Sequence, residues 1–288
     1  MRAVDYIRGE VVTVHRDVVT QLNCGTFTPF PGIAPFITRV LLVPLTDGYA
    51  LVDTGLGTRD IDRPRARLGI GGRLFRPSLE PAETAKHQLD ELGIDTSDVK
   101  HIVATHLDFD HISGIDDFPK AALHVLLPEL QAATNPRGRS VMRYRKTHYD
   151  RFSEAITYEL TAPAENVLGL NAIPVRGVEG LWLTPMPGHT PGHSAVIVEN
   201  AGSWIVHAGD ALFHRASLGV APKSAASRVA TVFEQVLAAD RSSITANHAA
   251  LQSVSSQEDV QVVCSHDSSD WSGRGASYAE RGQDLRNR

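Results

Sequence analysis

The chain holds only two cysteines, Cys24 and Cys264, in 288 residues. That is too few for a disulfide framework, so both are expected to stay buried thiols in a reducing compartment. No uncharged apolar run approaches the roughly 18 to 20 residues of a membrane-spanning helix, and no membrane association is expected. An apolar leader is missing too: MRAVDYIRGEVVTVHRD carries charges at Arg2, Asp5, Arg8, Glu10, Arg16 and Asp17. A cytoplasmic location is therefore expected. Nor is there an excess of positive charge. With 28 Lys and Arg against 33 Asp and Glu, the formal net charge of −5 argues against a general nucleic-acid binder. The proportions of hydrophobic (42%) and charged (21%) residues exclude disordered and fibrous classes.

What the chain does have is thirteen histidines, and their placement carries the argument. The first third reads as short β-branched or aliphatic runs separated by turns: GEVVTVHR, VVTQLNC, FITRVLLVPLTDGYALVDTG and HIVATH. Asp47-Gly48 supplies hairpin turn chemistry ahead of Tyr49-Ala50-Leu51-Val52. The pattern predicts a helix over residues 80–92, with Pro81 in the first turn and Gly93 as its stop. Residues 128–152 are polar and rich in Arg, and are expected to cover a site. Strand patterning returns in LWLTPMP, SAVIVEN and SWIVHAGD, and residues 228–239 read as an amphipathic helix. One domain over residues 1–267 and a loosely held polar tail over 268–288 are expected.

Four strand ends carry the chemistry. Ile102-Val103-Ala104 runs into Thr105-His106-Leu107-Asp108-Phe109-Asp110-His111, where four candidate ligands fall within six residues. A loop of that kind can wrap one ion while its strand holds it rigid. Pro187-Gly188-His189-Thr190-Pro191-Gly192-His193 also follows a strand; His189 is the candidate ligand, and His193 is read as supporting it. Ile205-Val206-His207-Ala208-Gly209-Asp210 ends in a carboxylate of the kind that can bridge two cations. Val262-Val263-Cys264-Ser265-His266 delivers a further histidine in the same way. Any one of these is unremarkable as an ordinary strand end. Four together are hard to attribute to chance.

At these residues the sequence resembles the metallo-β-lactamase superfamily, whose first motif reads H-x-H-x-D-H and is followed by separate His, Asp and His ligands. The resemblance spans nearly the whole chain and implies an α+β fold, the four-layer αββα metallo-β-lactamase sandwich. Val52-Asp53-Thr54-Gly55 is similar to the family's early Asp-Thr-Gly turn, in which the aspartate braces the metal loop. Gly188 to His193 is similar to a run found in glyoxalase II and lactonase members, and Ser265-His266-Asp267 resembles the lactonase-like branch.

Carried over by position, the resemblance implies two divalent metal ions, with zinc expected. His106, Asp108 and His189 would hold one; Asp110, His111 and His266 would hold the other; Asp210 would bridge them. The family usually has histidine where this chain has Asp108, a harder anionic donor that shifts preference toward manganese or iron. The implied reaction activates a shared water and delivers hydroxide to a small ester, lactone or thioester-like substrate, with Asp110 as the catalytic carboxylate. Many lactonases of the family place a tyrosine three residues after the bridging aspartate, and here that position is Phe213, which lacks a hydroxyl donor. A di-iron oxidoreductase or dioxygenase of the same fold stays open, because the flavodiiron branch also carries a carboxylate at the position of Asp108. A catalytically silent metal-binding module is a second alternative. If the Arg-rich segment, with Arg137, Arg139, Arg143, Arg145, Lys146 and Arg151, covers the site, it favours an anionic small-molecule substrate. Phe213, Tyr144 and Arg143 are the candidate substrate contacts, and Leu74, Phe75, Met142 and Tyr149 could add apolar surface.

Overall fold

The computed structural model describes residues 4–7, 10–13, 18–269 and 271, and in it the strands sort into one short pair and two six-stranded sheets. The pair is β1 (Val4–Ile7) with β2 (Glu10–Thr13). The first large sheet contains, as neighbours in this order, β3 (Thr20–Phe27), β4 (Phe36–Leu45), β5 (Gly48–Val52), β6 (Val99–Val103), β7 (Ala122–Leu126) and β8 (Ile156–Tyr158). The second contains β9 (Glu165–Val167), β10 (Leu170–Pro174), β11 (Leu181–Pro185), β12 (Ser194–Asn200), β13 (Ser203–His207) and β14 (Val260–Val263), again in spatial order. Besides short 3-10 turns, the described residues form seven α-helices: α1 (Thr58–Asp62), α2 (Pro64–Phe75), α3 (Ala85–Glu91), α4 (Phe109–Ile112), α5 (Leu127–Thr134), α6 (Ala225–Leu237) and α7 (Arg241–Ser255).

Period-two alternation assigns the layers. Leu41, Val43, Ala50 and Val52 of the first sheet share a buried cluster with Leu183, Val196, Val198 and Ile205 of the second, so these residues form the inter-sheet core. Their neighbours Val40, Leu42 and Leu51 face the other way and pack with Ala85 and Leu89 of α3 and Ala133 of α5. On the far side, Ala195, Ile197 and Val206 pack with Leu251 and Val254 of α7. Helix, sheet, sheet and helix thus stack in four layers, as expected from the sequence, each buried large aliphatic side chain contributing about 1.5–3 kcal/mol.

Strand direction then places the chemistry. β5, β6 and β7 run parallel, so the residues following β5 and β6 emerge at the same edge. β11 and β13 both run antiparallel to β12, and β14 runs parallel to β13, so the ends of β11, β13 and β14 also share an edge. Among the described residues no helix is long and apolar enough to cross a membrane. Cys24 and Cys264 are both buried and unbridged.

Some element boundaries differ from expectation. The helix expected over residues 80–92 is a single 3-10 turn at Pro81–Glu83 followed by α3, because Thr84 adopts an extended backbone and its hydroxyl caps the His87 amide. The helix expected over 228–239 begins at Ala225, where Ser224 and Ser227 cap each other's backbone amides. α7 has no counterpart in the sequence reading; Asp240 caps it by accepting from the Ser242 amide.

Candidate metal centre

Asp53 is the first residue placed by the fold. It follows β5 with φ of 61° and is wholly buried, a conformation that aspartate tolerates better than most residues. Its Oδ1 accepts from the Thr105 amide at 2.7 Å, and its Oδ2 from the Thr105 hydroxyl and His111 Nδ1, each at 2.8 Å. Asp53 therefore orients both ends of the histidine-rich loop without facing its centre. The Thr105 hydroxyl, donating to Asp53, is left to accept from His106 Nδ1 at 3.0 Å. His266 Nδ1 donates to the Ile37 carbonyl at 2.8 Å. In His106, His111 and His266, then, Nδ1 carries the proton and Nε2 turns a lone pair inward.

The inward atoms converge. One group is formed by His106, Asp108 and His189, a second by His106, His111 and Asp210, and a third by Asp110, His111 and His266, with ligand atoms within 4.8 Å of one another in each. Asp210 lies centrally: its Oδ2 is 3.1 Å from His266 Nε2 and 3.2 Å from His189 Nε2, while its Oδ1 is 3.2 Å from His111 Nε2. Asp108 Oδ2 lies 3.4 Å from His106 Nε2 and 3.1 Å from His189 Nε2. Asp110, in the first turn of α4, reaches 3.8 Å from both His111 and His266. All seven ligand candidates therefore stand at one edge of the sandwich.

Buried atoms without partners test whether this set fits cations. His106 Nε2, His111 Nε2, Asp108 Oδ1 and Asp210 Oδ1 make no hydrogen bond although all are buried. Leaving such atoms unpaired costs on the order of 1–3 kcal/mol each, so four in one cluster mark a site suited to a cation. Three carboxylates and four imidazoles suit divalent ions, and the residues fit.

Charges within the cluster are strongly perturbed. Burial, with His111 adjacent, drives His106 down to about 3, so this imidazole is neutral. Burial also opposes charge on His111, but the Asp210 and Asp110 carboxylates outweigh it and raise its pKa well above the usual histidine value. Asp210 lies well below the carboxylate range because His266, His111 and His189 overcome its desolvation. Asp110 goes the other way: burial raises its pKa, and Asp108 and Asp210 add repulsion.

His193 is buried, and its Nε2 accepts from the Asp210 amide at 2.9 Å, which orients the central carboxylate from behind. Gly209 is required for this contact. Its φ is +52°, and a Cβ there would sit 2.7 Å from His193 Nε2.

Above the cluster opens a cavity of about 970 Å³, whose lining includes Phe27, Phe30, Phe36, Phe75, Phe109, Phe213 and Phe233. Seven of the chain's nine phenylalanines thus face one space, with Asp108, Asp110, His189, Asp210 and His266 exposed to it. Phe213 packs edge-on against His266 at 4.9 Å between ring centres. Leu74 and Phe75 also reach the cavity.

Arg137, Ser140, Arg143 and Tyr144 of the Arg-rich segment line this cavity. Most of its described cations are engaged inward by the protein itself. Arg145 donates to the Arg67 and Ala66 carbonyls, and Arg151 to those of Phe118 and Ala121. Tyr144 lines the cavity, but its hydroxyl donates to Glu129. The side chains of Arg139, Met142 and Tyr149 lie outside the described residues.

Two buried residues went unnoticed in the sequence. Glu129 accepts from the Leu107 amide at 3.0 Å, the Gly192 amide at 3.2 Å and the Tyr144 hydroxyl at 3.0 Å, tying both ligand loops to the cover. Arg39 donates to the Cys264 carbonyl at 3.1 Å and the Asp267 carbonyl at 2.9 Å, bracketing His266 from the other sheet. Neither sits in a motif, and both partner sets are remote in sequence, so no local signal marked them.

The chain is similar to known proteins in sequence and in fold. A "Probable metallo-hydrolase" of Mycobacterium tuberculosis is 40% identical over 265 residues, covering 90% of this chain and 82% of that protein. The N-acyl homoserine lactonase AttM of Azorhizobium caulinodans is 27% identical over 178 residues, covering 62% of this chain and 64% of that protein. A solved N-acyl homoserine lactone hydrolase, described with N-hexanoyl-L-homoserine at its catalytic metal center, superposes with a TM-score of 0.62 at 19% identity, covering 88% of this chain and 94% of that one. The family model of the metallo-beta-lactamase superfamily matches residues 34–266. With that match enclosing every converging ligand from His106 to His266, the chain belongs to the metallo-β-lactamase superfamily and is an enzyme of the metallo-hydrolase type.

Proposed function

We propose that this metallo-hydrolase cleaves a small ester, lactone or thioester whose acyl part is apolar. The observation that carries the reading is the juxtaposition of the His and Asp cluster with a phenylalanine-lined cavity opening directly onto it. Divalent cations held by His106, Asp108, Asp110, His111, His189, Asp210 and His266 would supply Lewis acidity and lower the pKa of water at the cavity floor. We infer zinc for the histidine-rich group, with Asp108 shifting preference toward manganese or iron.

The chain's own groups divide the remaining work. Asp110 lies at the cavity wall beside His111 and His266, and burial raises its pKa and so makes its carboxylate a stronger base, suited to accept a proton from the attacking water and return it to the leaving group. Asp53 and His193 hold their partners in orientation. The phenylalanine walls exclude water from the acyl chain and orient the scissile carbonyl toward the floor. Phe213 has no hydroxyl to give the carbonyl, so binding rests on apolar contact. Arg137, on the same wall, is the group that would meet an anionic substituent.

Phe233 is central to the cavity, within 5.4 to 6.3 Å of Phe30, Phe36, Phe75 and Phe213 between ring centres. The test is a series of lactones and p-nitrophenyl esters of increasing acyl length, assayed with wild type and Phe233→Ala. Wild-type kcat/KM should rise with chain length, and the variant should lose about tenfold on long chains while sparing acetyl esters, as expected for some 1–2 kcal/mol of lost apolar contact. No hydrolysis anywhere in the series, or an equal loss at every length, would overturn the reading.

A further inference from the structure

One guanidinium of the cover lies deeper than the others. Arg143 Nη1 is 2.5 Å from Asp108 Oδ2 and 2.6 Å from His189 Nε2, and Nη2 donates to the Leu237 carbonyl at the end of α6 at 2.6 Å. Asp108 and His189 are two of the three members of the first ligand group. Arg143 therefore contacts the very atoms that a first metal would need.

Those contacts compete with a metal ion. An imidazole nitrogen offers a single in-plane lone pair, so His189 Nε2 cannot accept from Arg143 and coordinate a cation at the same time. The guanidinium cannot be neutralised to make way, because arginine stays protonated in proteins. Its second anchor, the Leu237 carbonyl, holds it in place independently of Asp108. The group formed by Asp110, His111 and His266 is instead in contact with the Asp53 and Asp210 carboxylates and the Ile37 carbonyl.

The pairing also accounts for the departure at position 108. Where the resembled motif has a neutral histidine, this chain has a carboxylate, and directly opposite it stands a fixed positive charge. A carboxylate and a guanidinium in contact neutralise each other, so Arg143 balances at the first-metal position the Asp108 charge that an ion would otherwise balance.

We propose that Arg143 serves as a resident cation at the first-metal position: the chain holds one ion tightly through Asp110, His111, Asp210 and His266, and a second enters only by displacing Arg143. The inference rests on the metal-dependent reading above, but it is a statement about stoichiometry and is tested without turnover.

The experiment titrates zinc into chelator-treated, full-length protein by calorimetry, with elemental analysis after desalting. Wild type should retain one equivalent and bind any second at least tenfold more weakly. Arg143→Gln should retain two, with the second site at least tenfold tighter than in wild type. Arg143→Leu, which removes all hydrogen bonding at that position, guards against an effect peculiar to glutamine, and Asp108→Ala added to Arg143→Gln should return the count to one. Two equally tight equivalents in wild type, or a single equivalent in both folded Arg143 variants, would overturn the proposal. A shift from one to two equivalents without hydrolysis of any ester would uphold it and remove the hydrolase reading instead.

Discussion

Replacing Glu129 by alanine tests how the two ligand loops are held. The carboxylate is fully buried and receives three donors: the Leu107 amide beside His106, the Gly192 amide three residues after His189, and the Tyr144 hydroxyl of the cover. Glu129→Ala leaves all three facing a cavity. The two amides cannot turn away, since a Cβ on Gly192 would already lie 2.1 Å from the Glu129 nitrogen, which shows how closely these backbones approach. A stranded buried donor costs roughly 1–3 kcal/mol. Against this, removing the side chain relieves the desolvation that raises the Glu129 pKa. Taking the low end for each donor gives about 3 kcal/mol before that relief, so a net loss of about 2 kcal/mol is expected. Urea unfolding of the metal-loaded protein measures it directly. Metal retention after desalting should fall at least tenfold, because both loops carry ligands. Glu129→Gln, which keeps the volume and one acceptor oxygen, should lose about half as much stability. A loss below about 1 kcal/mol in Glu129→Ala with unchanged metal content would refute the claim that this carboxylate couples the loops.

Asp210→Ala should abolish turnover and release at least one metal equivalent while far-ultraviolet circular dichroism stays native, since Asp210 belongs to none of the apolar clusters; normal metal content in the variant would rule out its central role. A pH dependence follows from His124, which sits between His101 and the Tyr158 hydroxyl and is pushed by burial down to about 4. Its folded pKa lies below the unfolded value near 6.5, so its stabilising contribution is present above that value and is lost as pH falls toward 4, at about 1.4 kcal/mol per unit. Urea midpoints between pH 7 and 4 should therefore fall less steeply in His124→Gln than in wild type, and identical slopes would refute the assignment.

The candidate ligands were legible in the sequence because each follows an apolar run within a few residues. His106 to His111, His189, Asp210 and His266 could be picked out from four strand ends, and Asp53 from a fifth, since a strand followed by a polar turn is a local pattern. The layered fold followed from the same runs together with the family resemblance. Boundaries were less legible where capping decided them, as at Thr84 and Ser224, because a cap depends on which of several adjacent hydroxyls takes the extended backbone.

Contacts across the fold could not be read in this way. Glu129 is an ordinary residue in the first turn of a helix until β6, β11 and the cover are brought together around it. Arg39 is a charge in an apolar strand until the end of β14 closes over it. Arg143 was one arginine among five in residues 137–151, and charge patterning could only suggest a solvated face or an attraction for anions. Which of them would meet Asp108 and His189 depends on how the cover folds back over the sheet edge. By itself, then, the sequence determined the ligand types and the strands that carry them, since both are encoded within a few residues. Only the tertiary structure decided how their charge is balanced, because that depends on groups 35 to 94 residues apart meeting in a space that excludes water.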